Sequence, residues 1–485
     1  EVVKASTLFT THTPVPAGHD AFHVDLLKAY LGHLPEMIQL SWDEFIQFGK
    51  ALPTEDHFNM SYLAANMSQN INGVSKLHGD VSKEILKELY PGYLAEELHI
   101  GYVTNGVHYS TWAAKEWKDL HKKYFGRNFP ECQSDMKVWQ KIHDVPDEEI
   151  ANTKQKLKIK LIEYIKQRFA DNWITRNENP KLINEALSQF NPSALTIGFA
   201  RRFATYKRAY LLFKNLERLN EIVNHPEHPV QFIFAGKAHP ADKGGQDLIK
   251  YIVEISKRPE FIGKIMFIQN YDMNLAKMML QGVDIWMNTP TRPLEASGTS
   301  GEKGVMNGTV HFSVLDGWWV EGYKPEAGWA LPMEQSFDVP EFQDELDAET
   351  IYNILEQEIV PAYYKKNKKG VSETWVSFVK NTISEVAPNF TMRRQLNDYV
   401  DKFYNSQAER YRLLIKDDFT IAKEISDWKG KIAEKWDGIK LVEASIEHGI
   451  NHTYKIGENH PAQVVLDLNG LSSDEVGVEI VLLKR

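Results

Sequence analysis

Between residues 194 and 320 short apolar runs alternate with stretches of helical period, and this region organises the chain. The runs Leu195–Ala200, Val230–Ala235, Lys264–Ile268 and Asp284–Met287 each predict a strand. Helical patterns fit between them at about 209–223, 243–257 and 274–281. Repeated strand and helix units of this kind predict an α/β fold built on a parallel, doubly wound sheet. Ligands of such sheets sit at the carboxyl ends of the strands, where backbone amides are free. The chemistry is therefore sought in the loops that follow these strands.

From residue 1 to about 100, helical patterns such as Ala21–Leu31 and Ser82–Leu89 are broken by loops rich in His, Gly and Asn, and strand signals are sparse. Val2, Val3, Ala5, Leu8 and Phe9 read as one apolar, helix-like stretch. Between about 105 and 190 the chain is mostly helical, and Pro146, Asp147, Glu148 and Glu149 open a long Lys-rich helix that reaches Phe169. Helix returns over 341–435, with Thr391 to Arg394 starting one pattern and Trp428 to Trp436 closing another. Beyond 438, Ile439, Leu441 and Val442, then Val464, Val465, Leu466 and Leu468, predict a small β appendage. A last alternation, Val476–Leu483, stops at Lys484 and Arg485 without a closing turn. With Glu1 in place of an initiator methionine and no targeting pattern, the sequence reads as a fragment, and the unclosed end fits a second cut.

Composition narrows the function classes. A chain of 485 residues, 42% hydrophobic and 25% charged, can bury large cores and predicts two or three domains. Its 66 acidic and 56 basic side chains give a net charge of -10, the wrong sign for a protein whose main partner is nucleic acid. Cys132 has no second cysteine to pair with, and no apolar run approaches the roughly 20 residues a membrane helix needs. A cytoplasmic protein with no membrane partner is expected.

Three of the loops after the strands are basic or glycine-rich. The first strand is followed by Arg201, Arg202, Phe203, Ala204, Thr205, Tyr206, Lys207 and Arg208, four cations ahead of a helix. That grouping suits a phosphate or another oxyanion, and it equally suits a solvated helix start. Gly236 to Pro240, after the second strand, reads as an ordinary loop. After the fourth strand come Glu295, Ala296, Ser297, Gly298, Thr299, Ser300, Gly301, Glu302, Lys303 and Gly304. Glycines and hydroxyl residues ahead of a helix expose amides as an anion nest. A lysine beside such a nest is what a pyridoxal phosphate site requires, although a glycine-rich turn with an incidental lysine has the same composition. The histidines lack ligand spacing with Cys, Asp or Glu, so no metal centre is predicted.

The wording E-A-S-G-T-S-G-E-K-G-V-M-N-G from Glu295, with R-R-F-A-T-Y-K-R from Arg201 and T-N-G-V-H from Thr104, resembles the α-glucan phosphorylases (glycogen, starch or maltodextrin phosphorylase). The resemblance runs from about residue 5 to about 410 and is closer to the shorter bacterial and archaeal branch than to the animal and plant enzymes. In the latter the two loops read like S-G-T-G-N-M-K and R-I-H-E-Y-K-R. The departures here, Ser300, Gly301 and Glu302, and Phe203, Ala204 and Thr205, fall between the key positions. The resemblance implies a two-lobed, Rossmann-like glycosyltransferase (GT-B type) fold with pyridoxal 5'-phosphate as cofactor. It implies reversible, retaining phosphorolysis of the non-reducing end of an α-1,4-glucan to glucose 1-phosphate. The implied partners are the glucan and inorganic phosphate, in a family that is often dimeric.

Position by position, the resemblance makes Lys303 the lysine that holds the cofactor, with Thr299, Ser300, Tyr271 and Arg201 as its further contacts. Arg202 and Lys207 match the pair that binds the substrate phosphate. Glu295, Ser297, Gly298, Tyr206 and Asn105 match groups around the reacting glucose. His12, in T-H-T, shares that surrounding and joins Lys303, Arg202 and Lys207 as catalytic, whereas His19, His78, His108 and His239 match nothing. The implied chemistry has inorganic phosphate protonating the leaving glycosidic oxygen and attacking the anomeric carbon, with Arg202 and Lys207 offsetting its repulsion from the cofactor phosphate.

Glycogen synthases that use nucleotide sugars carry a Glu, seven residues and a second Glu in this loop. Here the position after Glu295 and seven residues is Lys303, and an amine cannot fill a carboxylate's role. A nucleotide-sugar glucosyltransferase and a non-catalytic glucan-binding remnant stay as alternatives. The implied domains are 1–103, the tail of an N-terminal lobe mostly missing from the sequence; 104–390, the cofactor lobe; 391–435, helices folding back across both; and 436–485, the β-rich appendage. Activity of these 485 residues alone is not implied.

Overall fold

The computed structural model describes residues 1–176, 179–332, 337, 339–446, 457 and 459–479, with 170–176 described by their backbone. The chain divides into two compact units, Leu8–Tyr404 and the pairing of Glu1–Thr7 with Asn405–Arg485.

In the larger unit the first strands are β1 (Leu8–Thr10), β2 (Ala21–His23), β3 (His57–Asn59), β4 (Asn70–Gly73) and β5 (Ile100–Tyr102). Strands β1, β4 and β5 form a parallel sheet with β4 in the middle, Leu8 opposite Asn70 and Ile71 opposite Ile100, while β2 and β3 pair antiparallel. Six more follow: β6 (Leu195–Ala200), β7 (Val230–Ala235), β8 (Ile265–Ile268), β9 (Ile285–Asn288), β10 (Val310–Val314) and β11 (Gly328–Leu331). They make one parallel sheet in the order β11-β10-β9-β6-β7-β8. The chain steps outward from β6 to β8, returns, and steps outward the other way from β9 to β11. The direction of winding thus reverses between β6 and β9, where a crevice opens beyond the carboxyl ends.

Every residue of β6 to β10 is buried, as strands covered on both faces must be. Alternate side chains serve the two faces. Ile197, Phe199, Phe232 and Phe234 pack with Trp117 and Trp319 on one, and Ala200, Ile233, Ala235 and Met266 pack with Leu161 and Ile165 on the other. Burying each Phe or Ile contributes roughly 1.5–3 kcal/mol. Leu161 and Ile165 belong to the helix Asp147–Arg176, which is also fastened to the sheet by charge. Lys158 pairs with Asp284 at 2.5 Å, both buried, and donates to the Ala194 carbonyl and the Tyr363 hydroxyl. Lys154 donates to the Val283 carbonyl and to Thr309 Oγ1, and burial lowers its ammonium to about 7.

The expected strands at Leu195–Ala200 and Val230–Ala235 coincide with β6 and β7, and the next two differ from β8 and β9 by one residue. Four readings need correction. The N-terminal stretch is not one helix, because Val2–Ala5 ends before β1, whose backbone pairs with β4. Ala21–Leu31 opens as β2, and the helix begins at Val24, capped by the His23 ring accepting from the Asp25 amide. The stretch 209–223 is α-helical only over Leu216–Val223, after a tight turn at Leu211–Phe213, with Asn215 as its cap. Strand signals before residue 103 are sparse in sequence, yet a three-stranded sheet is there.

In the smaller unit, Arg410 donates to the Ala5 carbonyl at 3.0 Å and Lys429 pairs with Glu1 at 2.7 Å. The helices Asn405–Leu414 and Lys416–Trp436 lead to β12 (Lys440–Ile446) and β13 (Ala462–Asp467), an antiparallel pair with an irregularity between Leu441 and Glu443. This ribbon is the appendage expected beyond residue 438. The alternation Val476–Leu483 forms no strand as far as residue 479, and its remainder lies outside the described residues. No helix among the described residues is long and apolar enough to cross a membrane.

Candidate functional site

A cavity of about 330 Å³ lies at the reversal between β6 and β9. Ala200 and Arg201 reach it from the end of β6, Tyr271 from beyond β8, and Glu295 to Ser300 with Lys303 from beyond β9. The small sheet contributes its own carboxyl ends, with His12 after β1, Val74 after β4 and Asn105 after β5. Both parallel sheets thus aim strand ends into one space. Hydrogen bonds lace them together around it. Ser75 Oγ donates to the Ala296 carbonyl at 2.6 Å, Thr104 Oγ1 donates to the Glu321 carboxylate at 2.8 Å, and the Lys76 amide donates to that carboxylate at 2.9 Å. Arg394 donates to the carbonyls of Thr104 and Asn105.

The loop beyond β9 turns at Gly298, whose φ of +85° is a conformation that costs a residue with a Cβ about 1–2 kcal/mol. The helix Thr299–Val305 starts directly after it and carries Lys303. Two buried groups hold the loop from behind. Gly317 lies so close that a Cβ there would sit 2.3 Å from the Ser297 oxygen, and the Trp318 amide donates to that oxygen. Asp316 accepts from the amides of Glu295 at 2.9 Å and Gly317 at 2.8 Å, while burial raises its carboxyl to about 7.

One carboxylate oxygen of Glu295 receives Arg201 at 2.5 Å and Lys207 at 2.8 Å. Burial pushes the Glu295 carboxyl up, but the two cations outweigh it and hold the group below its ordinary value. Burial and the Arg201 charge lower the Lys207 ammonium to about 8, with Glu295 opposing them in part. The Lys207 ammonium also lies 4.7 Å from the centre of the Tyr206 ring. Burial raises the Tyr206 and Tyr271 phenols, the latter to about 12.

Lys303 is half-buried, with Nζ 4.3 Å from the centre of a Trp112 ring. Burial lowers its ammonium below the ordinary lysine value, against the pull of Glu302. The Glu302 carboxyl is fully buried, and burial raises it well above the carboxylate range. Ser297 Oγ lies 3.4 Å from Glu302 Oε1, and Glu302 Oε2 has no partner among the described residues. A carboxyl that holds its proton more tightly than usual therefore stands next to the lysine in the chain.

The site's fit to pyridoxal phosphate can be tested on Arg201. This side chain is 8% exposed, and its Nε and Nη1 lack partners among the described residues. A buried guanidinium with unpaired N–H groups at a cavity calls for an anion. An amine of lowered basicity in the same cavity suits an aldehyde. The residues present fit the group.

Of the residues singled out from sequence, the cavity brings together His12, Asn105, Arg201, Tyr271, Glu295, Ser297, Gly298, Thr299, Ser300 and Lys303. Lys207 stands behind Glu295, with Tyr206 against it, and neither lines the cavity. Arg202 is exposed and also off the lining, so Arg201 is the arginine that shares Glu295 with Lys207. Trp112, Asp316 and Val74 were missed. No local pattern marks them, because each acts on residues distant in sequence.

The sequence profile of the carbohydrate phosphorylases matches residues 1–328. The chain is 42% identical to a maltodextrin phosphorylase of Thermococcus litoralis over 479 residues, 99% of this chain and 55% of that protein. It is 36% identical to a glycogen phosphorylase of Mycobacterium bovis over 487 residues, 99% of this chain and 56% of the other. A glycogen phosphorylase of Aquifex aeolicus is 40% identical over 406 residues, 84% of this chain and 58% of the relative. The chain thus spans little more than half the length of the relatives it matches.

Proposed function

The chain belongs to the carbohydrate phosphorylase family, and we propose that it carries the cofactor-bearing part of a pyridoxal phosphate-dependent α-1,4-glucan phosphorylase of two-lobed GT-B architecture. The observation that carries this reading is the meeting of Lys303, Arg201 and Glu295 with His12 and Asn105 in one cavity. The reaction is reversible, retaining phosphorolysis of a glucan end to glucose 1-phosphate.

Lys303 holds the cofactor, and Arg201 with the Thr299 and Ser300 amides takes its phosphate. When bound, that cofactor supplies a phosphate able to exchange a proton with the substrate phosphate. Glu295 and the amides of Ser297 and Gly298 orient the terminal glucose by its hydroxyls, while His12 and Asn105 border its far side. The Lys207 ammonium, 2.8 Å from Glu295, stands beside the place where negative charge gathers. Arg201, which shares the Glu295 oxygen, adds a second cation from the same loop. Together they offset the repulsion between two phosphates and favour the one departing with the sugar.

The reading is tested by adding pyridoxal phosphate, reducing with borohydride and mapping the labelled peptide. A stoichiometric adduct at Lys303 is expected, and scattered labelling on the full-length protein would overturn it. Maltodextrin with inorganic phosphate should yield glucose 1-phosphate on that protein, whereas consumption of a nucleotide sugar would favour the transferase.

A further inference from the structure

Behind Lys303, one buried side chain joins two distant segments. Asn307 is fully buried, and its Nδ2 donates to the carbonyls of Trp112 and Lys303, both at 3.0 Å. Its Oδ1 accepts from the Ala114 amide at 2.8 Å. The Trp112 carbonyl receives a second donor, Gln281 Nε2, at 3.1 Å. The amide thereby spends both donor hydrogens and its acceptor on backbone groups, two from the Trp112 loop and one from the helix that carries Lys303. Moving the loop away from the helix would leave buried polar groups unpaired, so the separation between Trp112 and Lys303 is set. The Lys303 ammonium rests at that set separation on the Trp112 ring, 4.3 Å from its centre.

We propose that Asn307 and Trp112 are positioning residues for Lys303. Asn307 locks the loop to the helix, and the Trp112 ring gives the amine a fixed seat, from which it meets an aldehyde entering the cavity. A lysine side chain has many rotamers, and holding it in one removes the ordering that bond formation would otherwise require. A ring face does this without consuming the amine's hydrogens, as a carboxylate would. The proposal rests on reading Lys303 as the cofactor lysine, but the seat itself is a property of the chain and can be measured without cofactor.

The test is reductive methylation of the whole, cofactor-free chain with formaldehyde and cyanoborohydride, quantified lysine by lysine, with exposed Lys243 as the internal reference. Free formaldehyde is not held in the cavity, so it gains nothing from the seat, while the ring favours the charged amine and shields it. Asn307→Ala should therefore free the amine and raise the Lys303 rate by about tenfold over wild type, with Lys243 unchanged. Trp112→Leu, which leaves Asn307 in place, should do the same, and Trp112→Phe, which keeps a ring, should stay within about twofold of wild type. An unchanged Lys303 rate in both Asn307→Ala and Trp112→Leu would overturn the proposal. So would faster labelling of all lysines alike, which marks general unfolding. If pyridoxal phosphate fails to trap on Lys303 of the wild type while these variants still accelerate its methylation, the cofactor reading falls and the seat stands.

Discussion

The Lys207 ammonium and the Glu295 carboxylate lie 2.8 Å apart, both largely buried, and Arg201 shares the same oxygen. Replacing Glu295 by Gln leaves two buried cations without their counter-charge. Breaking such a pair costs about 3–5 kcal/mol, so Glu295→Gln should unfold at markedly lower urea concentration than wild type. Added inorganic phosphate should restore part of the loss in the variant and do less for the wild type. Equal urea midpoints would show that the cations are not confined as the geometry has them.

Lys207 also sets a pH limit. Its ammonium titrates at about 8, so it is charged below that pH and neutral above it. Phosphate affinity should therefore fall as pH rises from 7 to 9, beyond any change due to phosphate itself. Calorimetric titration of the full-length protein would show the decline, and Lys207→Ala should bind weakly with no such inflection. Turnover in that variant should drop by orders of magnitude with the fold intact.

Burial raises the Glu302 carboxyl well above its ordinary value, so between the unfolded and folded values the folded chain keeps a proton that the unfolded chain gives up. Folding must take up a proton, so this residue costs stability above the ordinary carboxylate range, and the cost grows as pH rises. Glu302→Gln should be more stable than wild type at pH 8 and lose that advantage at pH 4. Urea midpoints at the two pH values decide the matter.

Three histidines act in the opposite pH range. Burial lowers His78 to about 4 and His121 and His311 to about 3, from an ordinary 6.5. Below pH 6.5 the unfolded chain binds protons that the folded chain refuses, so stability falls with acid. Each contributes about 1.4 kcal/mol per pH unit, giving a combined slope of about 4 kcal/mol per unit down to the first of these values. His121→Phe, placed among Phe125, Phe129 and Trp139, should flatten the slope by about a third. Urea unfolding from pH 7 to 5 measures it.

The central sheet was legible because β6 to β9 are apolar runs with helices between them. Its last strands were not. His311 and Ser313 interrupt β10, and β11 has only four residues, Gly328–Leu331. The three-residue strands β1 and β5 are too short to show a period, and β4 contains Asn70 and Asn72, which strands disfavour. What secures these strands is pairing across the chain, as when Thr10 Oγ1 donates to Asn72 Oδ1. The site divides the same way. Lys303, Glu295 and the basic loop stand in recognisable local wording, whereas Trp112 and Asp316 matter through contacts with distant residues.

The cavity takes lining residues from His12 to Lys303, so a folding step that completes only one of the two sheets cannot produce it. Whatever binds there binds finished molecules alone. A ligand at a hundred times its dissociation constant adds about 2.7 kcal/mol to the finished state and nothing to its half-built precursors. Occupancy is therefore a latch on assembly, holding the finished pair of sheets against a return to either one alone.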